Sequence, residues 1–483
     1  MSVGNQHTTE PAHSLKTEST SLKIKKERDT MNPIIILLGI LLLAMSMTYF
    51  VDSGRYERNG KLVVPNTYQV LDKKISIDNL LLQKQSPHAD VAQPVSFSGV
   101  LMSIPEGLER GAGLIFMVLI IGGLFGILTK AGTIDLGLER LLSLVNGNIF
   151  ILVISLMTVL SAGSTFLGLA SEYLLVIPLM VAMAKRLGMS HIIGFAIVCV
   201  SVKAGYLASV TNPLPLTIAQ PLLGLQIFSG ASVRFMFYLV FLAIGIAFVL
   251  IMIKRQGYNR DATITFNADK LSTRHTALLI TLALGISFLV YASTEWHWKH
   301  HALSAYYIGL SIVLAAMSGL GANSAADAFV SGMKKVLMAS FLIGVATAVA
   351  VTLEKGQILD TIVYSLMSII DDKGATVSAI GMFISQLLLD FLIPSTSGQA
   401  AVSMPILGPI GQLSGVPPQT TVMAFLFGNG ITNMLTPTSG TLLAYLATAR
   451  VSWSQWAKFI LPLWAIYIVV AMILLAISVS MGF

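Results

Sequence analysis

Charge is what this sequence has least of. Asp, Glu, Lys and Arg make up 11% of its 483 residues, against roughly a quarter in a soluble domain. With 55% of the chain hydrophobic, too little charge remains to cover a water-facing surface, and a soluble globular class is excluded. Cysteine is almost missing: Cys199 stands alone inside an apolar run, which excludes an internal disulfide framework. Neither an HExxH pair nor a Walker A loop occurs, so an intramembrane zinc protease or an ATP-driven pump lacks its chemistry. Alternation of apolar and polar residues is also lacking in the long runs, which excludes a transmembrane barrel.

What is present is apolar sequence in lengths that cross a bilayer, about 20 residues each. Such runs begin near Pro33, Gly111, Ser232, Thr276, Ala305, Val336 and Trp456, and shorter or interrupted ones lie between Asn148 and Gly224 and between Ala375 and Ala449. The expected class is an all-α polytopic membrane protein of roughly nine to eleven helical elements. Residues 1–31 read as a disordered cytoplasmic tail, without the apolar core of a signal peptide. Residues 32–95 read as a first transmembrane helix followed by an extracytoplasmic loop. The formal charge of +7 sits in tails and loops, where the positive-inside rule accounts for it without nucleic acid. Lys16, Lys23, Lys25, Lys26 and Arg28 of the tail, with Lys254, Arg255, Arg260, Lys270 and Arg274, mark the cytoplasmic side.

The chain also repeats itself. KAGTIDLGLERLLSLV from Lys130 resembles KGQILDTIVYSLMSI from Lys355, an offset of about 225 residues that also places Pro178 on Pro405, Gly188 on Gly415, and TNP from Thr211 near TPTSG from Thr436. The two repeats fall at 96–255 and 336–483, with a cytoplasmic loop and connecting helices at 256–335. Counting spans from a cytoplasmic N-terminus makes the repeats inverted. Inverted repeats with discontinuous helices at matching positions are the pattern of a secondary transporter whose site lies at the repeat interface.

Each repeat carries two interruptions. LSAGSTFLGLASE (Leu160 to Glu172) and FLIPSTSGQAA (Phe391 to Ala401) sit between half-length apolar pieces, as the tips of re-entrant helical hairpins do; the alternative is an ordinary surface loop. Pro394 ends one helix, Gly398 permits a turn, and Ser395, Thr396 and Ser397 offer hydroxyls beside free helix-end amides. SVKAGYLASVTNPLPLTIAQ (from Ser201) and FGNGITNMLTPTSGTLLAYL (from Phe427) place Asn212, Pro213, Asn429, Asn433, Thr436, Pro437 and Thr438 within spans. They read as broken helices whose carbonyls and polar side chains hold a cation or a substrate, or as proline kinks packed by Ser and Thr.

On these segments, together with GGLFGILTKAGTID and PSTSGQAAVSMPILGPI, the sequence resembles the YfcC branch of the anaerobic C4-dicarboxylate carrier (DcuC) family, within the ion transporter superfamily. The resemblance runs from about Gly99 to the C-terminus. It implies a secondary carrier of the bacterial cytoplasmic (inner) membrane, with a scaffold part and a transport part holding two re-entrant hairpins and two broken helices. Relatives carry C4-dicarboxylates or exchange basic amino acids. Three positions depart from the family pattern: Asn429 stands in FGNG where the pattern has FGDG, Asp390 where it has Asn, and Lys203 where it has a neutral polar residue. All three bear on the coupling ion.

The expected function is secondary transport of a small carboxylate-bearing metabolite by alternating access, a basic amino acid by exchange or, alternatively, a C4-dicarboxylate by a carrier or exchanger, with a channel as a further alternative. No enzymatic activity, metal site or cofactor is expected. The expected site comprises Ser164, Thr165 and Glu172 of the first hairpin, Lys203 and Asn212 of the first broken helix, Asp390, Ser395, Thr396, Ser397, Gly398 and Gln399 of the second hairpin, and Asn429, Thr432, Asn433, Thr436 and Thr438 of the second broken helix. Lys203 reads as a built-in cation in place of Na⁺, as a proton carrier, as one half of an ion pair with Glu172 or Asp390, or as a snorkelling lysine. The partners expected are that substrate, Na⁺ or H⁺ as candidate coupling ions, membrane lipid, and a second copy of the chain in a candidate homodimer. EWHWKHH (Glu295 to His301) reads as an interfacial aromatic belt in preference to a metal cluster.

Overall fold

The computed structural model describes residues 33–59, 62–75, 80–82, 91–134, 136, 148–256, 272–296, 298, 300–368 and 374–483. The expected tail 1–31 and the basic residues Arg260 and Lys270 lie outside the described residues. The described residues begin with α1 (Pro33–Phe50) and then run as two sets of matching helices. The first set is α2 (Phe97–Lys130), a hairpin of α3 (Ile149–Leu167) and α4 (Ile177–Arg186), a broken pair α5 (His191–Ala208) and α6 (Pro213–Leu222), and α7 (Ala231–Arg255). After α8 (Thr273–Glu295) and α9 (His300–Met317), the second set follows: α10 (Ala322–Lys355), the short α11 (Leu359–Ser368), a hairpin of α12 (Ala375–Leu389) and α13 (Thr396–Leu413), a broken pair α14 (Pro418–Asn433) and α15 (Gly440–Ala449), and α16 (Trp453–Ser480). Seven helices among the described residues, counting α5 and α6 as one, are long and apolar enough to cross a bilayer.

Three matched pairs show that the repeats are inverted. In α2 and α10, both 34 residues long and starting 225 residues apart, Gly107 faces Gly344 and Ala348 while Gly126 faces Ala328 and Gly332, so the helices run antiparallel. A Cβ at Gly126 would come within 2.1 Å of the Ala328 carbonyl; only small residues allow two backbones so close. Phe241 of α7 accepts from Tyr467 of α16, and Phe248 stacks edge-on against Phe459, again antiparallel. Lys203 and Tyr206 of α5 meet Asn433 and Asn429 of α14 in the same sense.

Local sequence explains where the interruptions fall. Asn148 caps α3 by accepting from Phe150 and Ile151 N–H, and α3 ends at Gly168, whose φ of 73° is left-handed. A 3-10 turn, Ser171–Leu175, leads into α4, with Pro178 near its start. Asn212 caps α6 just ahead of Pro213, Ser395 caps α13, and Ser439 caps α15. These are short polar side chains placed where helix-end amides need an acceptor.

Two boundaries differ from expectation. The span expected at Gly111 belongs to a helix that already begins at Phe97, and the one expected at Val336 to a helix beginning at Ala322. Hydropathy missed both starts because Pro105, Glu106, Glu109 and Arg110 interrupt the apolar sequence of α2 and Asn323, Ser324 and Asp327 that of α10, but helical hydrogen bonding does not depend on apolar side chains. Glu106 and Arg110 lie inside α2, where Arg110 pairs with Glu106 at 2.7 Å and with Glu354 of α10 at 2.6 Å, and Lys355 pairs with Glu106 at 2.7 Å. These half-exposed pairs register the two helix ends and contribute little stability individually.

The segment after α1 is not plain loop. Strands β1 (Gly54–Arg55) and β4 (Gln69–Val70), and β2 (Arg58–Asn59) and β3 (Leu62–Val63), pair antiparallel, while β5 (Asp72–Lys73) and β6 (Val91–Ala92) pair parallel. The segment covers the α10–α11 turn: Gly54 N–H donates to Gln357, Arg58 pairs with Asp360 at 2.6 Å, and the Tyr68 and Tyr364 rings stack at 4.2 Å. Lys73 donates to the Thr48 and Val51 carbonyls at the end of α1, and burial lowers its pKa from the ordinary lysine value.

Burial sorts the helices. α14 is buried without interruption from Thr420 to Asn433, as a helix enclosed by protein on all sides must be. The rim is apolar and open, with Leu284, Ile312 and Ile473 exposed. Trp296 and Trp298 join Phe288, Tyr291 and Tyr306 in one aromatic cluster, the arrangement expected of an interfacial belt.

Candidate functional site

The polar residues of both repeats converge where α5 crosses α14 beside the second hairpin. Asn429 is the hub. Its Nδ2 donates to Asp390 Oδ1 at 2.6 Å and to Gln399 Oε1 at 2.8 Å, and its Oδ1 accepts from Tyr206 and, at 3.3 Å, from Thr396. The Tyr206 and Thr396 hydroxyls lie 3.0 Å apart, so the first broken helix touches the second hairpin tip. Gln399 donates in turn to Gln386 Oε1 at 2.9 Å, which also accepts from Ser403 at 2.8 Å.

One helical turn away is a second link between the halves. Lys203, 8% exposed, donates from Nζ to Asn433 Oδ1 at 2.8 Å, and that oxygen also accepts from Ser439 at 2.9 Å. Asn433 Nδ2 donates to the Pro394 carbonyl at 2.9 Å. An ammonium has three donors, so Lys203 keeps capacity beyond this bond. Among the described residues Lys203 has no carboxylate within 4.0 Å, so the direct ion pair with Glu172 or Asp390 is not the observed arrangement. Asp390 is fully buried, and its Oδ2 has no partner among the described residues; the same holds for Gln386 Nε2 one turn earlier.

Several other expected residues close contacts within each repeat. Ser164 donates to Val202 O at 2.8 Å, Thr165 accepts from Val210 N–H at 3.1 Å, and Asn212 accepts from Leu214 N–H at 3.0 Å. In the second repeat Thr432 donates to Leu387 O and Thr438 to Phe391 O, both at 2.8 Å, and Thr436 bonds Thr438 at 2.7 Å. Each break is thus zipped to its own hairpin. Glu172 is half-buried at the first hairpin turn and accepts from Ala170 N–H at 2.9 Å, while Tyr445 of the other repeat donates to Ala170 O at 2.5 Å. The second tip is more open: Ser395 and Ser397 are exposed, and Thr396 and Gly398 are half-buried at the N-terminus of α13.

Sequence reasoning missed the residues that satisfy the breaks. Arg234, the fourth residue of α7, is fully buried and donates to Val210 O at 3.1 Å, to Ser229 O at 2.7 Å and to Gln419 at 3.1 Å. Trp456, the fourth residue of α16, donates to Met434 O at 2.9 Å, and Trp453 donates to Leu435 O at 2.8 Å. The last helix of each repeat therefore hands a side-chain N–H to a carbonyl freed by its own break. A repeat-to-repeat comparison of the fourth residue of these helices would have pointed to Arg234 and Trp456. Tyr206 and Gln386 carried no local signal.

A sequence profile described as the C4-dicarboxylate anaerobic carrier, DcuC, matches residues 31–480. The chain belongs to the DcuC family. This DcuC-family chain is similar to a protein of Escherichia coli (strain K12) named "Putative basic amino acid antiporter YfcC", 28% identical over 472 residues that cover 88% of this chain and 91% of that one. An uncharacterized protein of Haemophilus influenzae is 24% identical over 508 residues, covering 95% of this chain and 99% of that one. The solved YdaH transporter of Alcanivorax borkumensis aligns over 93% of this chain and 99% of its own at 14% identity, with a TM-score of 0.43. Membership makes the DcuC-family chain a multi-span membrane transport protein for small molecules and not an enzyme.

Proposed function

We propose that this chain is a secondary active carrier that exchanges an amino acid across the bacterial cytoplasmic membrane by alternating access. The observation that carries the reading is the unpaired couple at the repeat interface, with Lys203 held on Asn433 and Asp390 Oδ2 buried without a partner. Buried charges are costly unless matched. An amino acid supplies both missing halves: its carboxylate takes the remaining Lys203 donors and the half-exposed N-terminus of α13, and its ammonium takes Asp390 Oδ2. Glu172, half-buried at the first hairpin turn, suits a second positive group and hence a basic side chain, in line with the name of the Escherichia coli relative. A C4-dicarboxylate is the second reading, favoured by Lys203 and by the description of the family.

Coupling to Na⁺ is disfavoured. Carbonyls freed at helix breaks are the usual Na⁺ ligands in such carriers, and here Val210, Met434 and Leu435 already accept from Arg234, Trp456 and Trp453. Lys203 occupies the electrostatic place of a bound cation.

Thermal unfolding of the purified protein tests the substrate class. A ligand at about 100 times its Kd adds about 2.7 kcal/mol to the folded state, so lysine, arginine or ornithine should raise Tm measurably and succinate, fumarate or malate should not. A rise with dicarboxylates alone would overturn the amino-acid reading in favour of the second one.

A further inference from the structure

Behind the candidate site lies a cavity of about 530 Å³ that none of the polar network fills. Its walls are Leu43 and Met47 of α1, Phe391 and Leu392 of the second hairpin turn, Pro437 at the second break, and Leu461 of α16. The Thr436 and Thr438 hydroxyls at its floor are bonded to each other and to Phe391 O, leaving an apolar lining. Leu43 is 60% exposed and Leu461 52%, so the cavity opens on the apolar rim of a membrane protein. An apolar space does not hold water, and leaving it empty forfeits the dispersion contacts of its walls. Hydrocarbon is the filling that both conditions admit.

Lys458 lies at the rim, exposed and without an ion pair among the described residues. Helical side chains lean toward the helix N-terminus, and a lysine in a bilayer extends its ammonium toward the headgroups. Extended in this way, the ammonium of Lys458 would reach toward Trp453 and the start of α16, where it would complement a negative headgroup. We propose that this cleft binds one anionic phospholipid, with an acyl chain in the cavity and the phosphate on Lys458. The floor is the turn and break that hold Asp390 and Asn433, and the opposite wall is α1 with Val349 of α10. The lipid thus occupies the joint between the second hairpin and the helices beside it. Binding stands on the cavity and Lys458 alone; the effect on rate rests on the transport reading above.

Native mass spectrometry of the detergent-solubilised full chain, titrated with phosphatidylglycerol or phosphatidylcholine, separates these claims. Wild type should retain one phosphatidylglycerol several-fold more tightly than phosphatidylcholine. Lys458→Gln should lose that preference, and Ala457→Trp, which fills the cleft, should lose the bound lipid while Lys458→Gln serves as the milder variant if the tryptophan does not fold. Equal retention of both lipids by wild type, or a preference that survives both substitutions, would overturn the site. A wild-type dimer that Ala457→Trp dissociates, with no lipid retained, would give the cleft to a second copy instead. In vesicles, wild-type exchange should run several-fold faster with phosphatidylglycerol than with phosphatidylcholine alone, and Lys458→Gln should show no such difference. Equal wild-type rates with lipid still bound would overturn the link to transport and leave the carrier reading intact.

Discussion

Replacing Lys203 by Gln should reduce uptake in proteoliposomes to the level of empty vesicles. The ammonium is buried and its observed acceptor is Asn433 Oδ1 at 2.8 Å; its remaining donors are the ones proposed for the substrate carboxylate. Removing one partner from a buried charge-assisted contact costs about 2–5 kcal/mol, roughly a 30-fold to more than 1,000-fold loss at 1.4 kcal/mol per decade. Folding should survive, because Asn433 Oδ1 keeps Ser439 and Asn433 Nδ2 keeps the Pro394 carbonyl. If Lys203 stands in for Na⁺, wild-type uptake is independent of Na⁺, and the double variant Lys203→Gln, Asn429→Asp acquires Na⁺ dependence. Strong Na⁺ stimulation of the wild type with no pH gradient would refute the built-in cation.

The second large effect is expected at Asn429. Alanine there removes the hydrogen bond that Asp390 Oδ1 accepts from Asn429 and the donor to Gln399 Oε1, and leaves Tyr206 with Thr396 among the described residues. Leaving a buried acceptor without its hydrogen bond costs about 1–3 kcal/mol, and the protein should melt a few degrees lower as well as lose transport. Asn429→Ala and Lys203→Gln are thus distinguished by stability: both abolish uptake, but only the first lowers Tm substantially. A stable Asn429→Ala protein with wild-type uptake would remove the hub from the site.

The architecture was legible because punctuation in an apolar chain is conspicuous. Pro394 with Gly398, Asn212 with Pro213, and Pro437 with its threonines announced the hairpin and the breaks, and the 225-residue offset announced the repeat. Helix starts at Phe97 and Ala322 were not legible, since Ser98, Glu106, Asn323 and Asp327 look like loop to a hydropathy reading. The paired strands beyond α1 were hidden by their length of two residues each.

The site was legible as a set of residues but not as a set of bonds. Lys203 and Asp390 stood out because charge is rare in such sequence. That Lys203 bonds Asn433 instead of pairing directly with Asp390 depends on contacts 230 positions apart, which no local spacing encodes. Ser164, Thr165 and Thr432 carry the right chemistry for a binding site and use it on the backbone of neighbouring elements. Arg234, Trp453 and Trp456 carry no binding-site signal in the sequence, because a first-turn basic or aromatic residue normally marks the membrane interface, whereas these three reach inward to the breaks.

Counterflow in proteoliposomes tests the central claim most directly. Vesicles loaded with unlabelled arginine or lysine and diluted into medium with a trace of the labelled compound should accumulate label transiently, at a saturable rate several-fold above that of vesicles loaded with buffer. The same vesicles loaded with succinate should show no acceleration. Equal label entry whatever the internal solute, without saturation, would contradict alternating-access exchange and point to a channel, and acceleration by succinate alone would contradict an amino-acid substrate.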